Sequence, residues 1–296
     1  MANLKRADRA IMGYAKKVDE PTLAQLDFFR SLWDEQASIT EQLAPDYEAP
    51  DAKTIKRLSK EGRPVLRSHP AVINKQKLAQ ASSRMAATLW ANGGYDVQLL
   101  REVEGIGWPQ ATAKSAHLAG RDPEACIEAA LAELARTGLS DGALQVAASA
   151  LSLALRALLE PAANAITLAR SQAGVADDHQ LNCPCCGCGA TLASVGASTS
   201  TSGGARQLFC AQCGTAWSFD RIRCARCGTR NQGHLHYYSI EGDESHRIHT
   251  CDECGGYIRT VFQEDILAPI SLDVEDVVMA RLDRVAQSMG EKDAQE

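Results

Sequence analysis

Apolar residues recur at helical spacing along the first part of the chain. The clearest such stripe predicts a helix that begins at the N-cap Asp19 and runs to about Leu43; its members are Leu23, Leu26, Phe29, Trp33 and Ile39. The same spacing predicts helices over 54–60, 73–92, 97–103, 122–135, 141–159 and 161–172, the last opened by Pro161. Proline and glycine predict irregular connections at 61–70 and 105–109. We therefore expect an all-α helical bundle over residues 1–175.

The pattern changes after a linker at 174–180. Short apolar runs that are typical of strands occur at 191–195, 208–209, 217–222, 236–240 and 257–262. Helical spacing returns at 274–289, after the capping residues Ser271 and Asp273. The Ser/Thr/Gly tract at 196–204 predicts a flexible hairpin tip, and the charged tail after Gly290 predicts disorder.

Composition narrows the class of protein. The chain has 296 residues and a net charge of −6, which allows one large domain or two ordinary ones and argues against nucleic acid as the main partner. Residues 1–10 lack the apolar stretch of a signal peptide. The most apolar helical segment, 143–159, contains Gln145 and Arg156 and is too short to span a bilayer. A cytoplasmic protein with no membrane partner is expected.

Cysteine dominates the second part of the chain. Four Cys-x-x-Cys pairs are each followed by glycine, and they are Cys183/Cys186, Cys210/Cys213, Cys224/Cys227 and Cys251/Cys254. The separation from the first pair to the second equals that from the third to the fourth, which predicts one ribbon unit used twice. We expect a first ribbon over 182–222, a second over 223–265 and a C-terminal helix over 271–290. The equal separations favour pairing of the two knuckles within each ribbon. The alternative, in which the two inner knuckles pair with each other and the two outer knuckles pair with each other, stays open.

This spacing indicates metal binding. Glycine permits the tight turn that brings two sulfurs to one metal ion, and two such knuckles supply four thiolates. Structural disulfides are disfavoured in a reducing compartment. Tetrahedral sulfur coordination suits zinc and also a single iron of the rubredoxin type. The simplest interpretation is that both metals only hold small ribbons folded, because so few residues cannot build an adequate core.

The first knuckle carries two extra thiols, Cys185 and Cys188, which form a Cys-x-x-Cys pair of their own. In the other three knuckles glycine directly follows the second cysteine, which favours Cys183 and Cys186 as the ligands here. Ligation by Cys185 and Cys188 stays open as the alternative. The spare thiols are expected to be inert, although transfer of metal or sulfur through them is an alternative. Cys126, in an alanine- and leucine-rich helix, is expected to be a buried small hydrophobe.

Histidines and arginines accompany the second ribbon. Since four cysteines already complete a tetrahedral site, we expect the histidines to lie at the surface or beside the ligands; they are His234, His236, His246 and His249. Arginines are interleaved with aromatic residues from 217 to 238, which could bind single-stranded nucleic acid or an acidic protein. No Ser-His-Asp set, P-loop or dinucleotide-binding fingerprint occurs.

Five cysteine-region blocks resemble the formate dehydrogenase accessory proteins of the FdhE family, in the same order and spacing. They are Cys-Pro-Cys-Cys-Gly at 183–187, Phe-Cys-Ala-Gln-Cys-Gly-Thr-Ala-Trp at 209–217, 223–228, Leu-His-Tyr-Tyr-Ser at 235–239, and 251–257. The stretch 260–285 is similar too. Ala190 stands where the family tends to have proline, and Cys188 is an addition. The helical part resembles the family only loosely, at 26–36 and 62–64.

The resemblance implies an assembly factor and not an enzyme. Such a protein binds the catalytic subunit of a formate dehydrogenase in the cytoplasm and supports its maturation. The resemblance also implies two rubredoxin-like four-cysteine sites that are associated with iron, with zinc as an alternative occupant. Two other hypotheses stay open, a zinc-ribbon nucleic-acid module and a thiol or sulfur-transfer protein that uses a labile Cys-x-x-Cys pair.

Overall fold

A computed structural model describes residues 4–15, 17–94, 96–196, 205–263, 270–284 and 286. Within these residues, nine helices precede a sheet of six strands, and a tenth helix follows it. The helices before the sheet are α1 (Leu4–Tyr14), α2 (Glu20–Leu43), α3 (Ala52–Lys60), α4 (Val65–Ser68), α5 (Lys75–Gly93), α6 (Val97–Glu104), α7 (Trp108–Thr112), α8 (Pro123–Ala135) and α9 (Asp141–Gln172). The predicted fold class, an all-α part followed by a small β part with four-cysteine sites, is confirmed.

Most predicted helix starts are confirmed by their caps. The Asp19 carboxylate accepts a hydrogen bond from the Thr22 amide at the start of α2, and Asp122 caps α8 in the same way. Ser140 caps α9, one residue before the predicted start. Helices α1, α4 and α7 were not predicted. The last two are single turns within proline-containing stretches, where local breaker signals outweigh apolar spacing.

Helix α9 is the centre of the helical part. It packs against α2, α3, α5, α6 and α8, and its side chains from Ala143 to Ile166 are mostly buried. The prediction of two helices separated at Pro161 is wrong, because α9 runs through this proline without a break. Proline removes one main-chain donor and disfavours a helix interior, but burial on several sides of α9 outweighs that penalty.

The continuity of α9 also changes the membrane argument. With 32 residues it is long and apolar enough to cross a bilayer by length and composition, so the prediction that this segment is too short is wrong. However, 61% of its most apolar window is buried inside the protein. A buried central helix of a globular bundle has the same composition, and this is the role of α9 here.

The strands form one mixed sheet in the order β3-β2-β1-β6-β5-β4. They are β1 (Leu192–Val195), β2 (Arg206–Phe209), β3 (Ala216–Phe219), β4 (Leu235–Ile240), β5 (Asp243–Cys251) and β6 (Tyr257–Phe262). Strand β5 was not predicted, because its polar sequence lacks a run of apolar residues. Strands β1 and β6 are parallel, and the other neighbours are antiparallel.

The pairing of β1 with β6 joins the two predicted ribbons. Each ribbon contributes three strands, and the parallel contact aligns Leu192 with Arg259 and Val195 with Phe262. The ribbons therefore share a continuous sheet instead of folding as separated units. The domain limits at 175, 222, 265 and 271 stay a prediction.

Three apolar clusters position this sheet. The largest extends from the helical part through Cys183, Cys186, Cys210 and Cys213 to one face of the sheet. The opposite face carries Leu192, Phe209, Ile248 and Val261, which pack with Ile270, Met279 and Leu282. A third cluster joins α1 and α2 to α10 (Leu272–Val278). Residues 197–204 of the predicted tract 196–204 and the tail after Gly290 lie outside the described residues, as does part of the predicted last helix.

A buried polar network ties α1, β5 and α10 together. The Tyr14 hydroxyl donates to Glu275 Oε2 at 2.7 Å, and the same oxygen lies 3.0 Å from His246 Nε2. The other ring nitrogen of His246 lies 2.9 Å from Asp243. Burial alone would lower the pKa of His246, but its hydrogen bonds with Asp243 and Glu275 raise it to about 9. The imidazolium is therefore held between two carboxylates.

Candidate metal centres

The four knuckles share one backbone conformation. In each, the glycine amide donates to the carbonyl of the first cysteine, at 2.9 Å for Gly187, 2.8 Å for Gly214, 3.1 Å for Gly228 and 2.8 Å for Gly255. The amide of the first cysteine in turn donates to the carbonyl five residues later. All four glycines have positive φ, between 65° and 91°. This left-handed conformation explains why glycine follows each pair.

The first centre consists of Cys183, Cys186, Cys210 and Cys213, which are all buried. Sulfurs from opposite knuckles lie close together, with Cys183 Sγ 3.5 Å from Cys213 Sγ and Cys186 Sγ 3.6 Å from Cys210 Sγ. The Thr215 hydroxyl lies 3.2 Å from Cys213 Sγ.

The second centre consists of Cys224, Cys227, Cys251 and Cys254. The opposite pairs Cys224/Cys254 and Cys227/Cys251 are each separated by 3.8 Å between sulfurs. Cys227 and Cys254 are exposed. Burial raises the pKa of Cys224, but the amides of Cys227 and Arg226 outweigh that effect and bring it to about 7. The Arg226 amide lies 3.3 Å from the Cys224 sulfur and the Cys227 amide lies 3.5 Å from it, and both stabilise a thiolate.

Both centres fit a tetrahedral metal ion. Metal–sulfur bonds of about 2.3 Å place the sulfurs of a regular tetrahedron about 3.8 Å apart. Within each centre, all four sulfurs lie within 4.8 Å of one another. The donor set suits a soft or borderline metal such as zinc or iron. The knuckles group within each ribbon, first with second and third with fourth, as the equal separations favoured.

The extra cysteines lie outside both four-sulfur groups. Cys185 is buried against α9, where its sulfur lies 3.7 Å from the Ala163 carbonyl and 3.8 Å from the Thr167 hydroxyl. Cys188 is buried, and its carbonyl accepts the Cys183 amide within the first knuckle. Cys126 is buried too, and burial raises its pKa to about 11. The structure therefore places Cys183 and Cys186, rather than Cys185 and Cys188, in the first centre.

The first centre is also the junction with the helical part. The amides of Val65 and Leu66 donate to the carbonyls of Pro184 and Cys185, at 3.0 Å each. On the second knuckle, the buried Arg156 guanidinium donates to the Ala211 carbonyl at 2.7 Å. The short helix α4 and the long helix α9 thus both bind the knuckles directly.

From the sequence alone, Arg156 is only a polar residue of an apolar helix. Its guanidinium lies 3.2 Å from Asp273 and 3.7 Å from Glu160, and both Arg156 and Glu160 are buried. A charged pair four residues apart within an alanine- and leucine-rich helix was the available signal. That signal indicates a buried ion pair, but it does not reveal that Arg156 also binds the second knuckle through the Ala211 carbonyl.

The four histidines of the second ribbon, at 234, 236, 246 and 249, lie outside both four-sulfur groups. His236 Nε2 lies 2.8 Å from Asp252 Oδ2 within the fourth knuckle, and His234 lies 3.6 Å from Glu253. His246 is buried in the network with Tyr14 and so is not a surface residue. Burial, with Arg206 and Arg247 nearby, lowers the pKa of His249 to about 4.

The fold and the paired centres define a class: a helical bundle joined to a six-stranded sheet that carries two four-cysteine sites. No protein-family model matches the chain. Over 83 residues it is 34% identical to the FdhE proteins of Escherichia coli O1:K1 and of Shigella boydii serotype 18. This match spans 28% of the chain and 26% of the length of those proteins.

The crystal structure of the FdhE protein from Pseudomonas aeruginosa has a similar fold. It superimposes with a TM-score of 0.58 and 20% sequence identity, over 97% of this chain and 91% of that protein. The sequence match therefore confirms the resemblance of the matched region to FdhE proteins, and the structural match shows that the fold is shared.

Proposed function

We propose that the protein is a cytoplasmic maturation factor for a formate dehydrogenase and that it binds the catalytic subunit of that enzyme. The observation that carries this proposal is the coincidence of two matches. The sequence match to proteins named FdhE is combined with a fold match over nearly the whole chain. The name of the relatives connects them with formate dehydrogenase, and the cysteine blocks extend that connection to this chain.

The protein acts as a binding and assembly factor instead of an enzyme. Its prominent chemical groups are eight cysteines that are arranged to hold metals. Tetrahedral sites filled by four protein ligands leave no open position for a substrate, in contrast to catalytic zinc sites, which keep one. A role in binding and presentation fits such closed centres better than hydrolysis or group transfer.

Each centre holds one iron or zinc ion in this proposal. The ligands are Cys183, Cys186, Cys210 and Cys213 in the first centre and Cys224, Cys227, Cys251 and Cys254 in the second. Iron would supply a one-electron redox couple, whereas zinc would supply only structural cross-linking. The protein's own contribution is the set of amides that donate to Cys224 and the burial of the first centre.

Elemental analysis with a visible spectrum of anaerobically purified protein tests the metal. We expect two metal equivalents per chain. Iron–thiolate charge-transfer bands would identify rubredoxin-type centres, and a colourless protein with two zinc ions would assign a structural role. Less than one equivalent of any metal would contradict the assignment of the ligands.

The partner is tested by co-purification of the tagged full chain with a formate dehydrogenase catalytic subunit, together with enzyme activity in a deletion strain. We expect the wild-type chain to retain the subunit and to restore activity. A matched pair of variants, Cys254→Ser in the second centre and Cys126→Ser in the helical part, separates the effect of the site from that of a cysteine elsewhere. Absence of binding, with unchanged enzyme activity in the deletion strain, would refute the proposed function.

A further inference from the structure

A cleft of about 160 Å³ lies beside the second centre. Tyr237, His249 and Ile258 line it, and they are directly paired across β4, β5 and β6. Directly paired residues point to the same face of a sheet, so the cleft opens on one face of the sheet, near its β4 end. The ligands Cys224 and Cys251 also line it. The cleft is therefore continuous with the second centre.

The lining of this cleft is cationic. Among the described residues, four arginines and no aspartate or glutamate line it: Arg206, Arg221, Arg223 and Arg226. Arg223 is paired with Asp220, while the other three form no ion pair with a described residue. Three free cations exceed the formal double negative charge of a divalent metal with four thiolates. The cleft is thus electropositive although the chain carries a net charge of −6.

Arg206 is the buried member of this set. It is 4% exposed, and its Nη1 donates to the main-chain carbonyl of Arg223 at 2.9 Å. Its Nε is buried without a hydrogen-bond partner among the described residues. A buried donor without an acceptor is destabilising, so an anionic acceptor that enters the cleft and reaches this group would relieve an existing penalty.

The cleft adjoins an open sheet edge. Strand β4 is the last strand of the sheet, and its residues from His236 to Ser239 are exposed. Alternate residues of an edge strand direct their N–H and C=O groups away from the sheet, where another strand can pair. The linker contacts the other edge strand, β3, through side chains, since the Trp217 indole donates to the Gln180 carbonyl and the Ser218 hydroxyl donates to Asp177. Strand β4 has no such contact with the linker among the described residues.

Apolar residues surround the same place. Of the seven large hydrophobic side chains that are exposed in the described chain, Ile222 and Tyr237 line the cleft, at 51% and 65% exposure. Tyr238, at 44% exposure, lies on the same edge strand and points to the opposite face of the sheet. Exposed aromatic residues next to cations and free main-chain groups are typical of a site that binds an extended peptide.

We propose that the open edge of β4 and the adjoining cleft bind an extended acidic segment of a partner protein. The segment adds a seventh strand along β4 and directs a carboxylate into the adjoining cleft toward Arg221, which lines that cleft together with His236 and Tyr237. This inference rests on the proposed function for the identity of the partner, which would be the formate dehydrogenase catalytic subunit. Main-chain pairing supplies affinity and the arginines supply selectivity for acidic side chains.

The same observations disfavour two other occupants. Pairing of β4 with β4 of a second copy would bring two cationic clefts together, which costs free energy through like-charge repulsion. A nucleic acid strand would satisfy the arginines, but it has no peptide backbone whose N–H and C=O groups match the spacing of β4. An acidic polypeptide satisfies both the cations and the strand edge.

The test uses the full metal-loaded chain and a fluorescein-labelled nonapeptide of alternating threonine and glutamate, blocked at both ends. We expect saturable binding and slower amide exchange at 235–240. Replacing every glutamate by glutamine, or the central threonine by proline, is expected to weaken binding at least about tenfold, since each removes charge or strand pairing. The Arg221→Gln variant is expected to weaken binding about fivefold, whereas Arg136→Gln, an exposed arginine of the helical part, leaves it unchanged.

Several results would overturn the inference. These are equal affinity for the glutamine peptide, protection away from 235–240, tighter binding of an oligothymidylate than of the peptide, dimerisation through β4, or no binding at all. Metal content of each variant shows whether it is folded, and Tyr237→Thr provides a second edge variant if Arg221→Gln loses metal.

Co-purification separates this inference from the proposed function. If the wild-type chain fails to retain the catalytic subunit, the proposed function fails while the peptide result stands. If the wild-type chain and the Arg221→Gln variant retain the subunit equally, the proposed function stands and the β4 edge is not the binding surface.

Discussion

The two four-cysteine centres have the same knuckle backbone but opposite surroundings. All four cysteines of the first centre are buried, whereas Cys227 and Cys254 of the second are exposed. The first lies between the helical part and the sheet, and α4 and α9 both donate hydrogen bonds to its knuckles. The second lies near the open β4 edge. Repetition of a sequence unit has thus produced one centre inside the protein and one at its surface.

The glycines of the knuckles reveal the same contrast. A β-carbon at Gly187 would lie 3.0 Å from Pro64, and one at Gly214 would lie 2.6 Å from the Arg156 guanidinium. In the second centre a β-carbon at Gly228 would lie 3.3 Å from Arg223, and one at Gly255 would meet nothing within 4 Å. The knuckle glycines of the first centre therefore lie against the helical part, whereas those of the second do not.

The largest expected difference comes from removing one ligand in each centre. Cys210→Ser is expected to lose one metal equivalent and to lower the melting temperature by more than about 10 °C. Structural metal sites supply on the order of 10 kcal/mol of folding free energy, and this one also joins the helices to the sheet. Cys254→Ser is expected to lose one metal equivalent with a fall of less than about 5 °C. Metal analysis and thermal unfolding by circular dichroism measure both.

The control for this comparison is Cys185→Ser, a buried thiol of the first knuckle outside the four-sulfur group. It should keep both metals. Equal destabilisation by Cys210→Ser and Cys254→Ser would mean that the two centres support the fold alike, and the distinction between them would be lost.

A smaller difference is expected between the arginines that support the two centres. Arg156→Met removes the cation between Glu160 and Asp273, both of which stay behind, and should cost about 3–5 kcal/mol in the free energy of unfolding. Arg226 is exposed and donates to the carbonyls of Tyr257 and Ala190, so Arg226→Met should cost at most about 1 kcal/mol. Urea unfolding measures both, and a larger cost at Arg226 would reverse the comparison.

The features that depend on residues close together in the chain could be predicted from the sequence. The knuckles and most helix limits follow from residue spacing, because turn geometry and apolar periodicity depend on near neighbours. Spacing favoured the pairing of the knuckles within each ribbon but left the alternative pairing open. Strand β6 was predicted with the bounds that the structure has. The eight candidate ligands could therefore be chosen without a structure.

The difference between the centres could not be predicted, since it depends on contacts far apart in the chain. Nothing near Cys183 reveals that Val65 and Leu66 bind its knuckle. Strand β5 was missed because its polar residues are stabilised by β4, β6 and the Tyr14–Glu275 network. Likewise, Pro161 ends a helix in most contexts, and only the packing around α9 overrides it.

The His246 network provides a pH-dependent test of how the second ribbon is held. The pKa of His246 is raised from 6.5 to about 9 in the folded protein. Its contribution, on the order of 3 kcal/mol, is complete below pH 6.5 and is lost as the pH rises to about 9. The free energy of unfolding should therefore fall between these values, beyond any change from the cysteines. His246→Gln should flatten this part of the profile.

The exposed His236, which is paired with Asp252 in the fourth knuckle, is the matched control. His236→Gln should leave the slope between pH 6.5 and 9 as in the wild-type chain. A wild-type profile that is flat over this window, or a slope that persists in His246→Gln, would show that the network does not hold the second ribbon through its charge.

The smallest expected difference is between Gly214→Ala and Gly255→Ala, which change the same knuckle position in the two centres. Both glycines have positive φ, of 80° and 65°, so alanine should cost about 1–2 kcal/mol at each site. At Gly214 the new methyl group would also lie against Arg156, which is buried and held by Glu160 and Asp273. That overlap should add about 1–3 kcal/mol. Urea unfolding of the two metal-loaded variants measures the difference, and in the double variant Gly214→Ala with Arg156→Met the added cost should shrink, because the group that the methyl meets has been removed.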